Sequence, residues 1–253
     1  MTAQRDEAQE ILEGVHPAFR RGRHFFRAIP GGDRCKMCAS PFGSVGGPFM
    51  RAIGKGRWPK NPKYCAACFN QLVQQRHGAE VDASLLFADV RGSTALAETM
   101  RPSEFRARMD GFFRIASAAV VANDGFVDKF VGDEIIAIFI PALNGAQHAS
   151  HAIAAARQIV RDAREREGLP VGAGVNSGVA YVGAVGDGTE VEFTAMGDPV
   201  NVAARLAGAA GAGEVLVSDA AVDLARLDAS PFEHRSLDLK GKSEKVEVVV
   251  LPV

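Results

Sequence analysis

Short apolar runs separated by polar turns dominate the second, longer part of the chain. Residues 84–90 are apolar and bounded by polar residues, which predicts a buried strand. The runs Phe126–Val131 and Glu134–Phe139 are separated only by Gly132 and Asp133, which predicts a hairpin with a two-residue turn. The same pattern predicts strands at residues 171–175, 179–185, 190–194, 214–217, 232–239 and 245–250.

Helices are predicted between these strands. Pro102 in a first turn and the early acid Glu104 predict a helix that reaches about Ala122. Residues 145–167 are helical in composition, and a further helix is expected from Asp198 to about residue 210. Strand, helix, hairpin, helix and strand in this order predict an α+β fold with a ferredoxin-like βαββαβ-type core.

The composition of the chain is that of a globular protein. Its 253 residues are 47% hydrophobic and 23% charged, with a net charge of -1. These values exclude a disordered chain, a collagen-like fibre and a coiled coil. The apolar run at residues 135–140 is too short to cross a bilayer, and the polar N-terminus does not resemble a secretory signal. We therefore expect a cytoplasmic protein with no membrane span.

Charge is distributed very unevenly along the chain. Residues 1–77 hold 13 Lys/Arg and 5 Asp/Glu, a net charge of +8, whereas residues 78–253 hold 16 and 25, a net charge of -9. This contrast predicts two domains with a boundary near residue 77. The basic N-terminal domain is a candidate for binding nucleic acid or an anionic surface, and a merely solvated basic face is the alternative.

Four cysteines form two C-x-x-C pairs in the N-terminal domain. They are Cys35 with Cys38, and Cys65 with Cys68. Each pair supplies two thiolates from one tight turn, so the set predicts a structural Zn²⁺ site. Such a site would stabilise a domain whose hydrophobic core is small. An iron–sulfur cluster with the same ligands is the alternative. A short helix over residues 69–75 is expected to pack on this site, and the single Trp58 is expected to pack the loop between the two cysteine pairs.

Two acids stand out in the larger domain. Asp89 ends an otherwise apolar strand, and Asp133 lies at the tip of the predicted hairpin. A carboxylate in such surroundings is costly to bury unless it is paired or binds a cation. Alone, Asp133 could be a turn former and Asp89 a cap for a helix that begins near Ser93. The glycine-containing turn after Asp89 would present backbone N–H groups to phosphates, which favours Mg²⁺ held between carboxylates and a phosphate ligand.

Four motifs in order resemble those of the class III nucleotidyl cyclases, the adenylate and guanylate cyclases. They cover roughly residues 81–253. The motifs are FADVRGST at 87–94, KFVGDEIIAIF at 129–139, FTAMGDPVNVAARL at 193–206 and LKGK at 239–242.

The resemblance implies a role for each motif residue. Asp89 and Asp133, helped by the Val90 carbonyl, would hold two Mg²⁺ or Mn²⁺ ions that activate the ribose 3′-hydroxyl and neutralise the β- and γ-phosphates. Asn201 would orient the ribose, and Arg205 would stabilise charge on the α-phosphate. Gly92, Ser93 and Thr94 would contact the triphosphate, as would Lys240 or Lys242, for which a flexible surface lysine is the alternative.

Base choice in this family depends on two positions. Lys129 matches the lysine of members that use ATP, but its usual aspartate partner is replaced by Thr194. Glu and Cys, which are typical of members that use GTP, are absent from these positions. ATP is therefore the expected substrate and cyclic AMP the expected product, with GTP or a pyrimidine nucleotide as alternatives. A catalytically silent signalling module with a nucleic-acid-binding zinc domain is the alternative from another functional class.

The resemblance also implies an oligomeric state. Family active sites lie between two catalytic domains, with the metal acids from one and Lys129, Thr194, Asn201 and Arg205 from the other. This chain carries one such domain with both halves of the set, so we expect a homodimer with two equivalent sites.

Overall fold

The computed structural model describes residues 2–43, 46–59, 61–73, 78–187, 190–239, 242 and 244–253. The chain divides into two compact units. The first consists of residues 1–81, 140–145 and 181–195, and the second of residues 82–139, 146–180 and 196–253. Within the described residues, no helix is both long enough and apolar enough to span a membrane.

Helices and strands alternate through most of the chain. The helices are α1 (Thr2–Leu12), α2 (Pro17–Arg27), α3 (Gly46–Ala52), α4 (Ala66–Val73), α5 (Ser93–Thr99), α6 (Pro102–Ala122), α7 (Pro141–Asn144), α8 (His148–Glu167), α9 (Asp198–Ala209) and α10 (Asp219–Ala225), with a 3-10 turn at Gly145–Gln147. The strands are β1 (Arg57–Trp58), β2 (Asn61–Cys65), β3 (Ala79–Val90), β4 (Phe126–Val131), β5 (Glu134–Phe139), β6 (Val171–Asp187), β7 (Glu190–Met196), β8 (Glu214–Ser218), β9 (Glu233–Leu237) and β10 (Val246–Pro252).

The first unit is tied together by side chains as much as by its small sheet. β1 and β2 pair antiparallel, and the Trp58 ring stacks on Phe69 of α4 at 3.6 Å between centroids. The Arg34 guanidinium donates to four backbone carbonyls, including those of Phe26 and Ile29 at 2.8 and 2.7 Å. Phe26 lies in the last turn of α2 and Ile29 just beyond it, so Arg34 links the end of this helix to the segment that follows.

The second unit contains the large sheet, with strand order β4-β5-β3-β6-β8-β10-β9 in the described part of the chain. The neighbouring strands β4-β5-β3-β6 have the order of the predicted βαββαβ core, and β3–β5 and β4–β5 pair antiparallel. β8 pairs parallel with β6, and β10 antiparallel with both β8 and β9.

Helices cover both faces of this sheet. Alternate residues of β3, such as Leu86 and Ala88, join a core with Phe112 of α6 and Ile159 of α8. On β8, Val215 and Val217 belong to the same core, whereas the residue between them, Leu216, packs with Val202 and Leu206 of α9. Successive strand residues point to opposite faces. The helices α6 and α8 therefore lie on one face and α9 on the other.

Several boundaries differ from the sequence-based expectation. Residues 171–175 and 179–185 belong to the single strand β6, because Gly178 continues the strand rather than ending it. The strand expected at 232–239 is limited to β9, and the helix expected from residue 145 begins as a 3-10 turn before α8. The short helix near the cysteines is α4, which begins at Ala66 and so earlier than expected, and the last two residues of the expected helix, 74 and 75, lie outside the described residues.

Gly174 of β6 allows α9 to approach the sheet. A Cβ at this position would lie 2.3 Å from the Ala207 nitrogen and 2.5 Å from the Ala203 oxygen, both on the backbone of α9. Backbone atoms cannot move aside without shifting the whole helix. α9 can therefore lie this close to β6 only because residue 174 is a glycine and has no side chain.

Gly174→Ala is expected to destabilise the protein by about 2 kcal/mol, because overpacking a close helix–strand contact costs energy of that order. The matched control is Gly208→Ala in α9, where a Cβ would meet nothing within 4 Å. The control should be neutral or stabilising by up to about 1 kcal/mol, since alanine favours helix. Urea unfolding of both variants measures the difference, and equal stabilities would contradict this account.

A buried polar cluster crosses the sheet. The hydroxyls of Ser84 and Ser177 share a hydrogen bond at 2.6 Å, and Ser84 Oγ lies 2.9 Å from Nδ1 of His148. His148 is only 2% exposed. Burial lowers the pKa of the His148 imidazole, which the charge of Asp82 only partly offsets.

His148 is expected to make the fold sensitive to acid. Because its pKa is lower in the folded state than its ordinary value of 6.5, the unfolded chain binds the extra proton first, and stability falls as pH falls below 6.5. A His148→Gln variant lacks this titration. The stability advantage of the wild type over the variant, measured by urea unfolding between pH 5 and 8, should shrink at low pH, and a constant difference would contradict the assignment.

Candidate active site and metal centre

Strand pairing brings three carboxylates to one end of the sheet. Asp89 of β3 is the register partner of Glu134, the first residue of β5. Asp133 precedes Glu134 in the tight turn after β4, where Gly132 has a φ of 62°. The predicted hairpin is confirmed, and its tip places Asp133 within hydrogen-bonding reach of Asp89.

Burial and neighbouring carboxylates raise the pKa of two of these acids. Burial raises the pKa of Asp89 to about 6, with the hydrogen bond to Asp133 next in effect, against the lowering charge of Arg91. Burial also raises the pKa of Glu134 to about 7, and the charges of Asp89 and Asp133 add to the increase. Both shifts mean that the cluster lacks compensating positive charge near neutral pH. Clustered carboxylate oxygens are the donors that Mg²⁺ and Mn²⁺ prefer, so the residues fit a divalent cation.

Glu134 was not singled out from the sequence as a site residue. Glu134 lies opposite Asp89 because β5 pairs with β3, and this pairing is visible only in the structure. The available sequence signal was its position next to Asp133 at the start of an apolar strand.

The segment after Asp89 forms a turn and a short helix. Val90 is the buried last residue of β3, Gly92 adopts the left-handed conformation with a φ of 72°, and α5 begins at Ser93. Gly92 and Thr94 are exposed and Ser93 is partly exposed. The N-cap of α5 is Gly92, which has no side chain, so Asp89 is not the cap of this helix.

Arg91 makes the main contacts of this turn. Its guanidinium pairs with the Asp89 carboxylate, and Nη1 donates to the carbonyls of Gly208 and Ala210 at 3.3 and 3.4 Å. Its backbone N–H donates to the Pro170 carbonyl at 2.7 Å. Sequence analysis did not single out Arg91, since its partners at the end of α9 are far away in the chain.

α9 presents the two predicted transition-state groups. Asn201 and Arg205 are four residues apart on one side of the helix, whereas Val202 and Leu206 on another side are buried. Asn201 is exposed and Arg205 is partly exposed. Within the described residues, no hydrogen bond or ion pair joins either side chain to the carboxylates.

The predicted base-reading and phosphate-binding residues are on separate elements. Lys129 of β4 is partly buried, with Nζ 3.9 Å from the Asp128 carboxylate, and Thr194 of β7 belongs to the first unit. Lys240 is outside the described residues. Lys242 pairs with Asp198 at 2.6 Å on the rim of a cavity of about 380 Å³ in the second unit.

The four cysteines of the first unit converge. Their Sγ atoms all lie within 4.8 Å of one another, and all four side chains are buried. The backbone N–H of Cys65 donates to Cys35 Sγ at 3.2 Å, and that of Cys68 to Cys65 Sγ at 3.4 Å. Hydrogen bonds with Cys35 are the main cause that lowers the pKa of the Cys38 and Cys65 thiols. Four buried, converging sulfurs with amide donors fit a tetrahedral metal ion.

Part of the basic surface of the first unit is used internally. Arg23 Nε donates to the Met37 carbonyl at 2.6 Å, and Arg57 pairs with Asp33 at 2.8 Å. Lys55 Nζ lies 5.0 Å from the centre of the Phe26 ring. These cations stabilise the unit itself, while Arg20, Arg21, Arg27 and Arg51 are exposed.

Comparison with known proteins identifies the family. Residues 74–252 match the adenylate and guanylate cyclase catalytic domain. The chain therefore belongs to this family of nucleotide cyclases.

Named relatives and solved structures agree with this assignment. Adenylate cyclase 1 of Rhizobium meliloti is 33% identical over 136 residues, which cover 50% of this chain and 20% of that protein. The adenylate cyclase of Anabaena cylindrica is 31% identical over 179 residues, covering 65% of this chain and 36% of that protein. The chain thus spans about a third or less of these curated relatives.

Two crystal structures show the shared fold. The guanylyl cyclase Cya2 aligns with a TM-score of 0.63 and 22% identity, covering 69% of this chain and 93% of that one. The adenylyl cyclase CyaB from P. aeruginosa aligns with a TM-score of 0.59 and 28% identity, covering 70% and 96%. The mixed α/β cyclase fold expected from the sequence is confirmed.

Proposed function

We propose that this chain is an adenylate cyclase that converts ATP to 3′,5′-cyclic AMP and pyrophosphate as a homodimer in the cytoplasm. The observation that carries the proposal is the cluster of Asp89, Asp133 and Glu134 at one end of the sheet in a member of the cyclase family. The adenylate cyclases among the relatives support this substrate class.

Several residues of the chain have separate roles in this reaction. Asp89 and Asp133, with the Val90 carbonyl, would hold two Mg²⁺ or Mn²⁺ ions, which supply acidity to the ribose 3′-hydroxyl and charge to the triphosphate. The 3′-oxygen forms a bond to the α-phosphorus as the bond to the pyrophosphate oxygen breaks. Arg205 neutralises charge on the α-phosphate, and Asn201 orients the ribose.

The triphosphate and the base are bound by further residues of this set. The exposed turn at Gly92, with Ser93 and Thr94, offers backbone N–H groups to phosphate oxygens, and Lys240 offers a cation. Lys129 and Thr194 read the adenine edge, where a threonine hydroxyl can both donate and accept. GTP or a pyrimidine nucleotide is the alternative substrate, and the guanylyl cyclase Cya2 shows that this fold also occurs in a guanylyl cyclase.

The dimer follows from how the residues are distributed. The acids lie at strand ends of the second unit, and no bond joins them to Asn201 or Arg205 within the described residues. Two copies can supply acids from one subunit and α9 from the other. A single chain then contributes to two equivalent sites.

Asp133→Ala is expected to abolish turnover of ATP in the presence of Mn²⁺, because it removes one carboxylate of the cation site while the exposed hairpin tip tolerates the change. Circular dichroism should show an unchanged fold. Product analysis with all four nucleoside triphosphates tests the base in the same experiment. Equal activity of wild type and variant would contradict the mechanism. Cyclic GMP as the main product would contradict the proposal that ATP is the substrate.

Mixing two inactive variants tests the shared site. Asp89→Asn and Arg205→Ala should each be inactive as homodimers. An equimolar mixture should recover about a quarter of wild-type activity, since half of the dimers are mixed and each of these has one intact site. An inactive mixture, with exchange of subunits shown by native mass spectrometry, would contradict sites shared between subunits.

We also propose that Cys35, Cys38, Cys65 and Cys68 bind one structural Zn²⁺. The converging buried sulfurs support the metal, and the two N–H···S hydrogen bonds support a closed structural site rather than an exposed redox centre. An iron–sulfur cluster is the alternative. The exposed arginines of this unit are offered as a nucleic-acid or anionic surface, with a solvated surface as the alternative.

The purified chain is expected to contain about one zinc per polypeptide, and Cys65→Ser should lose it together with thermal stability. Elemental analysis measures both zinc and iron. Thr99→Ser, at an exposed helix end, is the control that should keep the metal. A brown protein that contains iron instead of zinc would establish the alternative.

A further inference from the structure

Arg91 contacts both the carboxylate cluster and the end of α9. We propose that Arg91 is a positioning residue that stands in for the divalent cation in the free protein: it neutralises Asp89 until a metal ion enters and is then retained by the carbonyls at the end of α9. This inference depends on the proposed function, because it takes the carboxylate cluster to be the cation site. It assigns a role to a residue outside the set proposed to bind the substrate.

The first support is the charge around the cluster. Asp89, Asp133 and Glu134 lie together, and the Arg91 guanidinium pairs with the Asp89 carboxylate. The Asp89 and Arg91 side chains are 27% and 22% exposed, so their attraction is only partly screened by water. A cation that enters this cluster must therefore compete with the guanidinium for Asp89.

The second support is that Arg91 already has other acceptors. Nη2 pairs with Asp89, whereas Nη1 donates to the carbonyls of Gly208 and Ala210. These carbonyls end α9, where the helix dipole leaves partial negative charge. Arg91 Nε has no hydrogen-bond partner among the described residues. The side chain can therefore give up Asp89 and still keep its charge stabilised, which lowers the cost of the exchange.

The third support is the position of α9. The helix carries Asn201 and Arg205 on the turns before the carbonyls that Arg91 contacts. Leu206 and Val202 fix the helix to the sheet. Release of Arg91 from Asp89 leaves its contacts with the end of α9 in place. Arg91 thus connects the charge state of the cation site to the helix that serves the other site of the dimer.

The test measures metal binding directly, without nucleotide or turnover. Mn²⁺ binding to the full chain, with its zinc content verified, is followed by electron paramagnetic resonance for the wild type, Arg91→Gln and Arg91→Lys. Arg91→Gln removes the competing charge and should bind Mn²⁺ about tenfold more tightly. Arg91→Lys retains the charge and should stay within about twofold of the wild type. Circular dichroism melting shows whether each variant folds.

Two further variants separate the possible outcomes. Arg157→Gln removes the same charge from an exposed position in the middle of α8 and should leave Mn²⁺ affinity unchanged. Asp89→Asn should weaken Mn²⁺ binding strongly; if it does not, the cation site of the proposed function is wrong. If Asp89→Asn weakens binding but Arg91→Gln leaves it unchanged or weaker, only the role of Arg91 is overturned.

Discussion

The repulsion among like charges at one end of the sheet is the constraint on which the rest of the site depends. Strand register places Asp89 opposite Glu134, and the hairpin turn adds Asp133. Water solvates this cluster only in part, so the pKa values of Asp89 and Glu134 rise toward neutrality. A folded protein keeps such a cluster only with positive charge close by. Arg91 supplies part of that positive charge, and a bound divalent cation would supply the rest.

The two units are stabilised by different kinds of contact. The second buries alternate strand residues under helices on both faces, and Gly174 lets α9 lie directly on the sheet. The first unit ties its elements together with the carbonyl contacts of Arg34 and with four converging sulfurs. A small core gains little from apolar burial alone, so such polar and metal links take a larger share of its stability.

Much of the second unit could be predicted from the sequence. The hairpin and the helix that begins at Pro102 were confirmed, because period-two apolar runs and an early proline are local signals. The N-terminal helices and α10 were missed, since α1 and α2 are rich in polar residues and α10 is only seven residues long. Gly178 was taken as a strand boundary, yet pairing with neighbouring strands keeps β6 continuous.

By itself, the sequence determined the hairpin, the helix that begins at Pro102, the four family motifs and the pairing of cysteines in two C-x-x-C turns, since each of these depends on residues close together in the chain. Only the tertiary structure decided that Glu134 joins the carboxylate cluster and that Arg91 bonds to Gly208 and Ala210. The first contact depends on how β3 pairs with β5, and the second joins residues more than a hundred positions apart in the chain. Coulomb and hydrogen-bonding forces act between neighbours in space, and a linear pattern does not record which distant residues become neighbours.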